Sequence, residues 1–280
     1  METSTESRVC LRCFLTGMCI LVIPLLIEIS FALIIVFTIA LNLYLYFSYK
    51  YDYELYQIAV RAGCLGLATA VGLLISFSDK SWLHFGWYLT ALAFFHWSEY
   101  YTTAVTNPKS LTLSSYLLDH SLAYQLAAVS SWFEFFVEWY FFPGLKQLRW
   151  VSCFGLVLVI GGEILRKCSM VTASTNFNHY IQHIKKPDHM LVTSGVYSFS
   201  RHPSYVGWFY WSVGTQIILC NPICLVAYTV VSWRFFNERI FEEEITLLNF
   251  FGKEYVSYQR KVGTGLPFIN GYMVYAQHQS

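Results

Sequence analysis

The sequence predicts an all-α fold, an integral membrane multi-helix bundle of about eight transmembrane helices with a polar cytosolic loop and a C-terminal helix. Three observations carry that prediction. Charged residues make up 12% of the 280, against roughly 25% in soluble domains, while 56% are hydrophobic and 19% aromatic. Long uncharged stretches recur at lengths suited to a bilayer. Lys and Arg fall mostly in alternate loops, the mark of a chain oriented in a membrane. With 18 basic against 17 acidic side chains, a net charge of +1, nothing attracts a polyanion, so no nucleic-acid partner is expected. A disordered chain and a small disulfide scaffold are excluded; a transporter, channel, receptor or lipid-modifying enzyme stays open.

The elements follow in order. From Cys13 to Tyr49 a single charge, Glu28, interrupts the apolar run. As one helix that run would measure about 55 Å, far more than the ~30 Å hydrocarbon core, so it is read as two helices. Pro24 and Glu28 mark the break, giving spans near 13–27 and 29–48. Further spans are expected near 57–77, 82–104 and 121–141, with Asn107-Pro108 punctuating the connection before the last of these. Trp150 to Leu165 reads as a short helix. The uncharged stretch from His202 to Trp233 reads as two helices turned at Asn221-Pro222. These last three helices are expected to be shallow, with water and headgroups reaching their cytosolic ends. Placing both termini in the cytosol leaves only Lys80, Lys146 and Arg149 of the 18 basic residues on the other side. The organisation expected is therefore N-terminal transmembrane helices over 1–150 and a catalytic membrane-embedded region over 151–280, in which the polar segments 166–201 and 234–280 flank the last hairpin. RFFNERIFEEEITLLNFFG, from Arg234, has the mixed pattern of a helix that leaves the membrane and lies on the protein.

Several constellations have the chemistry of a site. Arg239 and Glu243 are four apart on one helical face, where a cation and an anion can hold opposite parts of substrates or simply pair with each other. RHPSYVG, residues 201–207, joins a cation, an imidazole and a helix-starting proline at a membrane entrance; it suits an anion site or an interfacial anchor. His179 and His183 share the spacing of a zinc-protease helix but lack its glutamate and a third ligand, so no metal is expected. Cys10 and Cys13 have no second ligand pair, and no disulfide is assigned. Glu99, Glu134, Glu138 and Glu163, in or beside apolar spans, read as polar contacts between helices or as a transport path. No phosphate-binding or dinucleotide fingerprint is present.

Three stretches carry a resemblance: STNFNHYIQ at 174–182, HMLVTSGVYSFSRHPSYVGWFYWSVGTQIILCNPIC at 189–224, and WRFFNERIFEEEITLLNFFGKEYVSYQRKVGTGLPFI at 233–269. In their order and composition the chain resembles the isoprenylcysteine carboxyl methyltransferase family, with Val262-Gly263 standing where the family often has Val-Pro. The resemblance implies an endoplasmic reticulum membrane enzyme, multi-pass, with termini and active site facing the cytosol. It would transfer a methyl group from S-adenosylmethionine to the C-terminal α-carboxylate of prenylated cysteine in processed CaaX proteins such as small GTPases, with membrane lipid around it. Carried over by position, it implies cofactor contacts from Gln182, His189, Met190, Leu191, Val192, Tyr197, His202, Pro203, Ser204, Tyr205 and Glu243, and substrate binding by Arg239. No general acid or base is implied. RHPxYxG followed by a Glu-rich helix also occurs in phospholipid N-methyltransferases and, more loosely, in NADPH-dependent sterol reductases. Those readings and a non-enzymatic transporter are the alternatives.

Overall fold

A computed structural model describes residues 4–25, 30–77, 82–118 and 121–273. Among these the regular structure is helical and no strand occurs. Helix α1 (Thr5–Met18) begins at a cap, Ser4, whose hydroxyl accepts from the Ser7 amide. A 3₁₀ segment, Cys19–Leu25, follows it. The first helix thus starts eight residues before the expected Cys13. Arg8 and Arg12 lie on its exposed side while Val9, Cys10, Cys13 and Phe14 are buried, so charge does not mark the boundary. The expected break is half visible: Pro24 falls in the 3₁₀ segment, and Glu28 lies outside the described residues.

Helix α2 (Phe31–Tyr49) starts at Ser30 and α3 (Tyr53–Ser76) at Asp52, each side chain capping an amide three residues on. Both helices are long and apolar enough to cross a bilayer. Helix α4 (Trp82–Thr106) and helix α5 (Leu122–Phe141), capped by Ser121, follow close to their expected bounds. Helix α6 (Arg149–Ala173) corrects the sequence reading, which ended it at Leu165. Arg166 and Lys167 are good helix formers and do not terminate a helix; at ~1.5 Å per residue its 25 residues span roughly 37 Å, so it is not short. Helix α7 (Pro203–Leu219) and helix α8 (Pro222–Phe251) turn at Asn221-Pro222 as expected. At 30 residues α8 runs unbroken from the short apolar stretch into the Glu-rich one, so the segment from Arg234 continues the last helix as expected, and α7, at 17, has the expected shortness. Helix α9 (Lys253–Gln259) follows Gly252, whose positive φ of 52° turns the chain.

Two compact units result. The first comprises the chain up to Leu156 together with Thr215–Cys224. In it α1 and α3 cross closely, since a Cβ on Gly17 would lie 2.2 Å from the Gly63 carbonyl oxygen. Phe14 stacks on Trp97 and Tyr100 on Tyr116, with centroids 3.9 and 4.0 Å apart. The α7–α8 turn is held by α5 and the loop after it. Lys146 Nζ donates to Glu138 at 2.7 Å, to the carbonyls of Leu219 and Cys220 that end α7, and to Asn221. Glu134 accepts from the amides of Ile223 and Cys224 at 2.7 and 2.6 Å, capping α8 just after Pro222, which has no amide to offer. Glu134 and Glu138 are thus structural contacts, the reading set against a transport path. All eight cysteines are free thiols.

The second unit comprises Val157–Gly214 and the chain from Leu225. Its core gathers Val206, Phe209, Phe236, Ile240, Leu266 and Ile269. Helices α6 and α7 touch through their backbones, because a Cβ on Gly207 would lie 2.6 Å from the Gly162 oxygen. After α9 the chain runs as a strap, 260–272, back along the start of α7, where Gly263 and Thr264 carbonyls accept the Arg201 and His202 amides. The space around Gly263 is open to an added Cβ.

Candidate active site

The second unit contains a cleft between the loop that follows α6, the first turn of α7 and the distal part of α8. Gln182, His189, Met190, Leu191, Val192, Tyr197, His202, Pro203, Ser204, Tyr205 and Glu243 all line it. Residues spread from position 182 to 243 are thereby brought to one surface. Arg239 is not part of that lining, but stands one turn before Glu243 on α8.

The first turn of α7 is fixed from three sides. Pro203 presets its backbone for a helix start. Ser204 is held by Arg166, whose Nη1 donates to its hydroxyl at 2.8 Å while the guanidinium lies 4.5 Å over the Trp208 ring. Arg166 is only 2% exposed and therefore does not snorkel as a juxtamembrane arginine usually does. The His202 ring stacks on Tyr205 at 5.5 Å and 6°.

Tyr205 joins the two residues that helical spacing had singled out. Its hydroxyl donates to Glu243 Oε2 at 2.6 Å and accepts from Arg239 Nε at 3.2 Å. Arg239 and Glu243 therefore do not form a direct ion pair; the phenol bridges them. Arg239 Nη2 also donates to the carbonyl of His179, so this histidine contributes its backbone rather than a metal-binding ring. His183 lies 3.7 Å from Glu242, both well exposed.

Behind the cleft sits a buried ionic cluster that the sequence reading missed. Glu244 is fully buried and accepts from Arg201 Nε at 2.8 Å, with His202 Nε2 3.1 Å away, Tyr255 Oη at 3.2 Å and Gln259 Nε2 at 3.2 Å. Burial pushes its carboxyl upward, but His202 and Arg201 outweigh that and hold it below the ordinary carboxylate value. The other guanidinium nitrogens of Arg201 donate to the carbonyls of Gln259, Val262 and Asn270, tying in the strap. Arg201 is thus no interfacial anchor: it is 6% exposed and lines the cleft.

The loop is fastened across the end of α8. Lys185 Nζ donates to the Phe250 carbonyl at 2.7 Å and lies 4.5 Å over the Phe251 ring. His189 meets Phe250 and Phe251 edge-on, and burial, then nearby Lys185, depresses its pKa. Asn176 accepts from the Met190 amide at 2.8 Å, closing the loop on itself. Among lining residues not expected from sequence are Thr246, Leu247 and Phe250, which follow Glu243 at helical spacings of three, four and seven. That spacing was a usable signal. Tyr255 and Tyr258, beyond the turn at Gly252, carried none.

Chemically the cleft offers one partly accessible carboxylate, neutral donors and acceptors, and aromatic and aliphatic walls; the lining Arg201 is engaged by Glu244 and three carbonyls, and a second cation, Arg239, adjoins it. That set fits a nucleoside-sized molecule bearing an amino group and hydroxyls better than a polyphosphate. Among the described residues no group of three or more potential ligands could hold a metal ion.

Residues 155–249 match the model of the isoprenylcysteine carboxyl methyltransferase family. The protein-S-isoprenylcysteine O-methyltransferase of Xenopus laevis is 60% identical over 218 residues, 78% of this chain and 76% of that protein. The protein of the same name from Homo sapiens is 59% identical over 219 residues, 78% of this chain and 77% of its own length. A solved structure of the eukaryotic intramembrane Ras methyltransferase of this type superposes with a TM-score of 0.92 at 45% identity, over 96% of this chain and 99% of the other.

Proposed function

The chain belongs to the isoprenylcysteine carboxyl methyltransferase family, and from that premise we propose that its cleft holds S-adenosylmethionine and that Arg239 receives the substrate's carboxylate. The enzyme is membrane-embedded and methylates the carboxyl group of a prenylated cysteine. Its acceptors in this reading are processed CaaX proteins, small GTPases among them. They would be met at the cytosolic face of the endoplasmic reticulum by a multi-pass chain of about eight spans, with both termini in the cytosol, membrane lipid around it and the chemistry in residues 151–280.

S-adenosylmethionine, when bound, supplies an electrophilic methyl group on a sulfonium. The acceptor needs no activation, since an α-carboxyl titrating near ~3.5 is ionised at neutral pH, and no side chain is required as general acid or base. What the chain provides is alignment and dryness; orientation of two reactants is worth up to ~7–11 kcal/mol. Arg239 is suited to hold a carboxylate by two parallel hydrogen bonds without consuming its charge. Glu243 and Gln182 offer acceptors and a donor for amino and hydroxyl groups, and Leu191, Val192, Leu247 and Phe250 offer an apolar bed for a base.

One observation carries the reading: the residues expected at the cofactor line a single cleft, and the arginine expected at the carboxylate is hydrogen-bonded to a tyrosine of that cleft. Arg239→Ala is expected to abolish methyl transfer to a farnesylcysteine analogue while S-adenosylhomocysteine still binds by calorimetry. Lost S-adenosylhomocysteine binding with an unchanged KM for the analogue would overturn the assignment.

A further inference from the structure

We propose that Phe268 is a membrane-docking residue, its ring held outward by the C-terminal strap into the headgroup–acyl boundary of the bilayer. The inference goes beyond methyl transfer and does not depend on it. It starts from a conformation. Phe268 has φ of 63°, a left-handed backbone that bulky L-residues avoid, and its side chain is 93% exposed. Its neighbours behave in the opposite way. Leu266 and Ile269 are 4% and 3% exposed, packed with Val206, Phe209, Phe236 and Ile240. In extended backbone residues 266 and 268 would share a face; the left-handed turn points the phenyl ring away from the core that takes Leu266 and Ile269. In water that strain would place an apolar ring where it gains nothing, and outliers of this kind mark function.

The strap is pinned at the depth where two helices cross the interface. The Pro267 carbonyl accepts from Trp233 Nε1 at 2.8 Å, and Trp233 ends the uncharged stretch before Arg234. Indoles favour that level of a bilayer. On its other side, Gly263 and Thr264 carbonyls accept the amides of Arg201 and His202, where α7 enters its apolar run, and Ser200 Oγ donates to Thr264 at 2.6 Å. The strap opens with exposed Arg260 and Lys261, cations suited to an anionic leaflet. The occupant is bilayer lipid: the residue before Phe268 is hydrogen-bonded to an indole at the end of an apolar helical stretch and the strap opens with two exposed cations, the pattern of an interfacial belt.

The test replaces Phe268 in the full-length chain with p-benzoylphenylalanine, reconstitutes it in nanodiscs of phosphatidylcholine and phosphatidylserine, irradiates, and reads adducts by peptide mass spectrometry. A phospholipid adduct at position 268 is expected, and little at Lys186, an exposed loop residue, carrying the same label. Equal yields at the two positions would overturn the proposal, as would adducts formed with an added farnesylated peptide in preference to lipid, or with a second copy of the chain. Phe268→Asp should lose methyl transfer in nanodiscs and Phe268→Trp keep it; full activity of the aspartate variant counts against docking. Since that variant also risks misfolding, the adduct measurement decides.

Discussion

Tyr205 is asked to do three things with one ring. It stacks on His202, donates to Glu243 and accepts from Arg239, so its hydroxyl sets the distance between the residue proposed for the cofactor and the one proposed for the carboxylate. Tyr205→Phe keeps the stack and removes the bridge. A hydrogen bond to a charged group is worth about 1.5–3 kcal/mol, so KM for a prenylcysteine should rise roughly 10–100-fold, with a smaller change in S-adenosylhomocysteine affinity. Steady-state kinetics beside calorimetry separates the two, and an unchanged KM would show that Arg239 needs no such support. The family resemblance implied a cofactor contact for Tyr205, and the residue does line the cleft. What it missed was the hydroxyl, because residue spacing pairs Arg239 with Glu243 on one helix but says nothing of a third partner reaching in from α7.

Helices were legible from their apolar runs, with the expected starts of α2 and α5 falling close to the capping residues Ser30 and Ser121; the start of α3 after Asp52 lies four residues before the expected 57, and other ends were lost where charge was taken as a stop signal. Arg8 and Arg12 lie inside α1, and Arg166 and Lys167 inside α6, where Lys167 reaches Glu163 one turn back at 3.3 Å. Packing between helices was legible only in part. The glycine of RHPSYVG was noted as motif, but its role is contact: α6 and α7 meet at Gly162 and Gly207, where an added Cβ has nowhere to go. Gly207→Ala should therefore destabilise by about 1–3 kcal/mol through overpacking, seen as a lower Tm in detergent, although alanine favours the helix by ~1 kcal/mol. Were propensity to win, Tm would rise. The α7–α8 turn rests on a buried charge in the same way. Lys146 is fully buried against Glu138 and the carbonyls that end α7. Lys146→Met leaves Glu138 unpaired at a cost of about 3–5 kcal/mol, and adding Glu138→Met should restore part of it. Equal Tm for the single and double variants would place the loss in the carbonyl contacts instead.

At the scale of the whole chain, the cleft depends on residues that never touch what it holds. Position 244 follows a glutamate already assigned to the site, yet its carboxylate turns inward, and sequence spacing alone does not distinguish the two. In the fold, Glu244 gathers Arg201, His202, Tyr255 and Gln259, and Arg201 in turn gathers the strap; α7, α8, α9 and the strap share this one anion. Its depressed pKa makes the cluster sensitive to acid. A carboxyl that titrates lower in the folded than in the unfolded chain contributes stability above its ordinary value of 4.5, and that stability is lost as pH falls through the folded value. His189 acts in the same direction at higher pH: its lowered pKa means that the unfolded chain binds the proton first, so stability begins to decline as pH drops below 6.5. Thermal unfolding should therefore show two acid limbs, one starting below 6.5 and made shallower by His189→Gln, the other below 4.5. Glu244→Gln leaves Arg201 buried without its anion, so it should cost about 3–5 kcal/mol at neutral pH and flatten the lower limb. S-adenosylhomocysteine affinity should fall with it, although Glu244 lies outside the cleft lining, because His202 and the Tyr205 ring stacked on it lose their support. A variant that kept both its lower acid limb and its affinity would show that the cleft is held by packing, with the buried charge incidental to it.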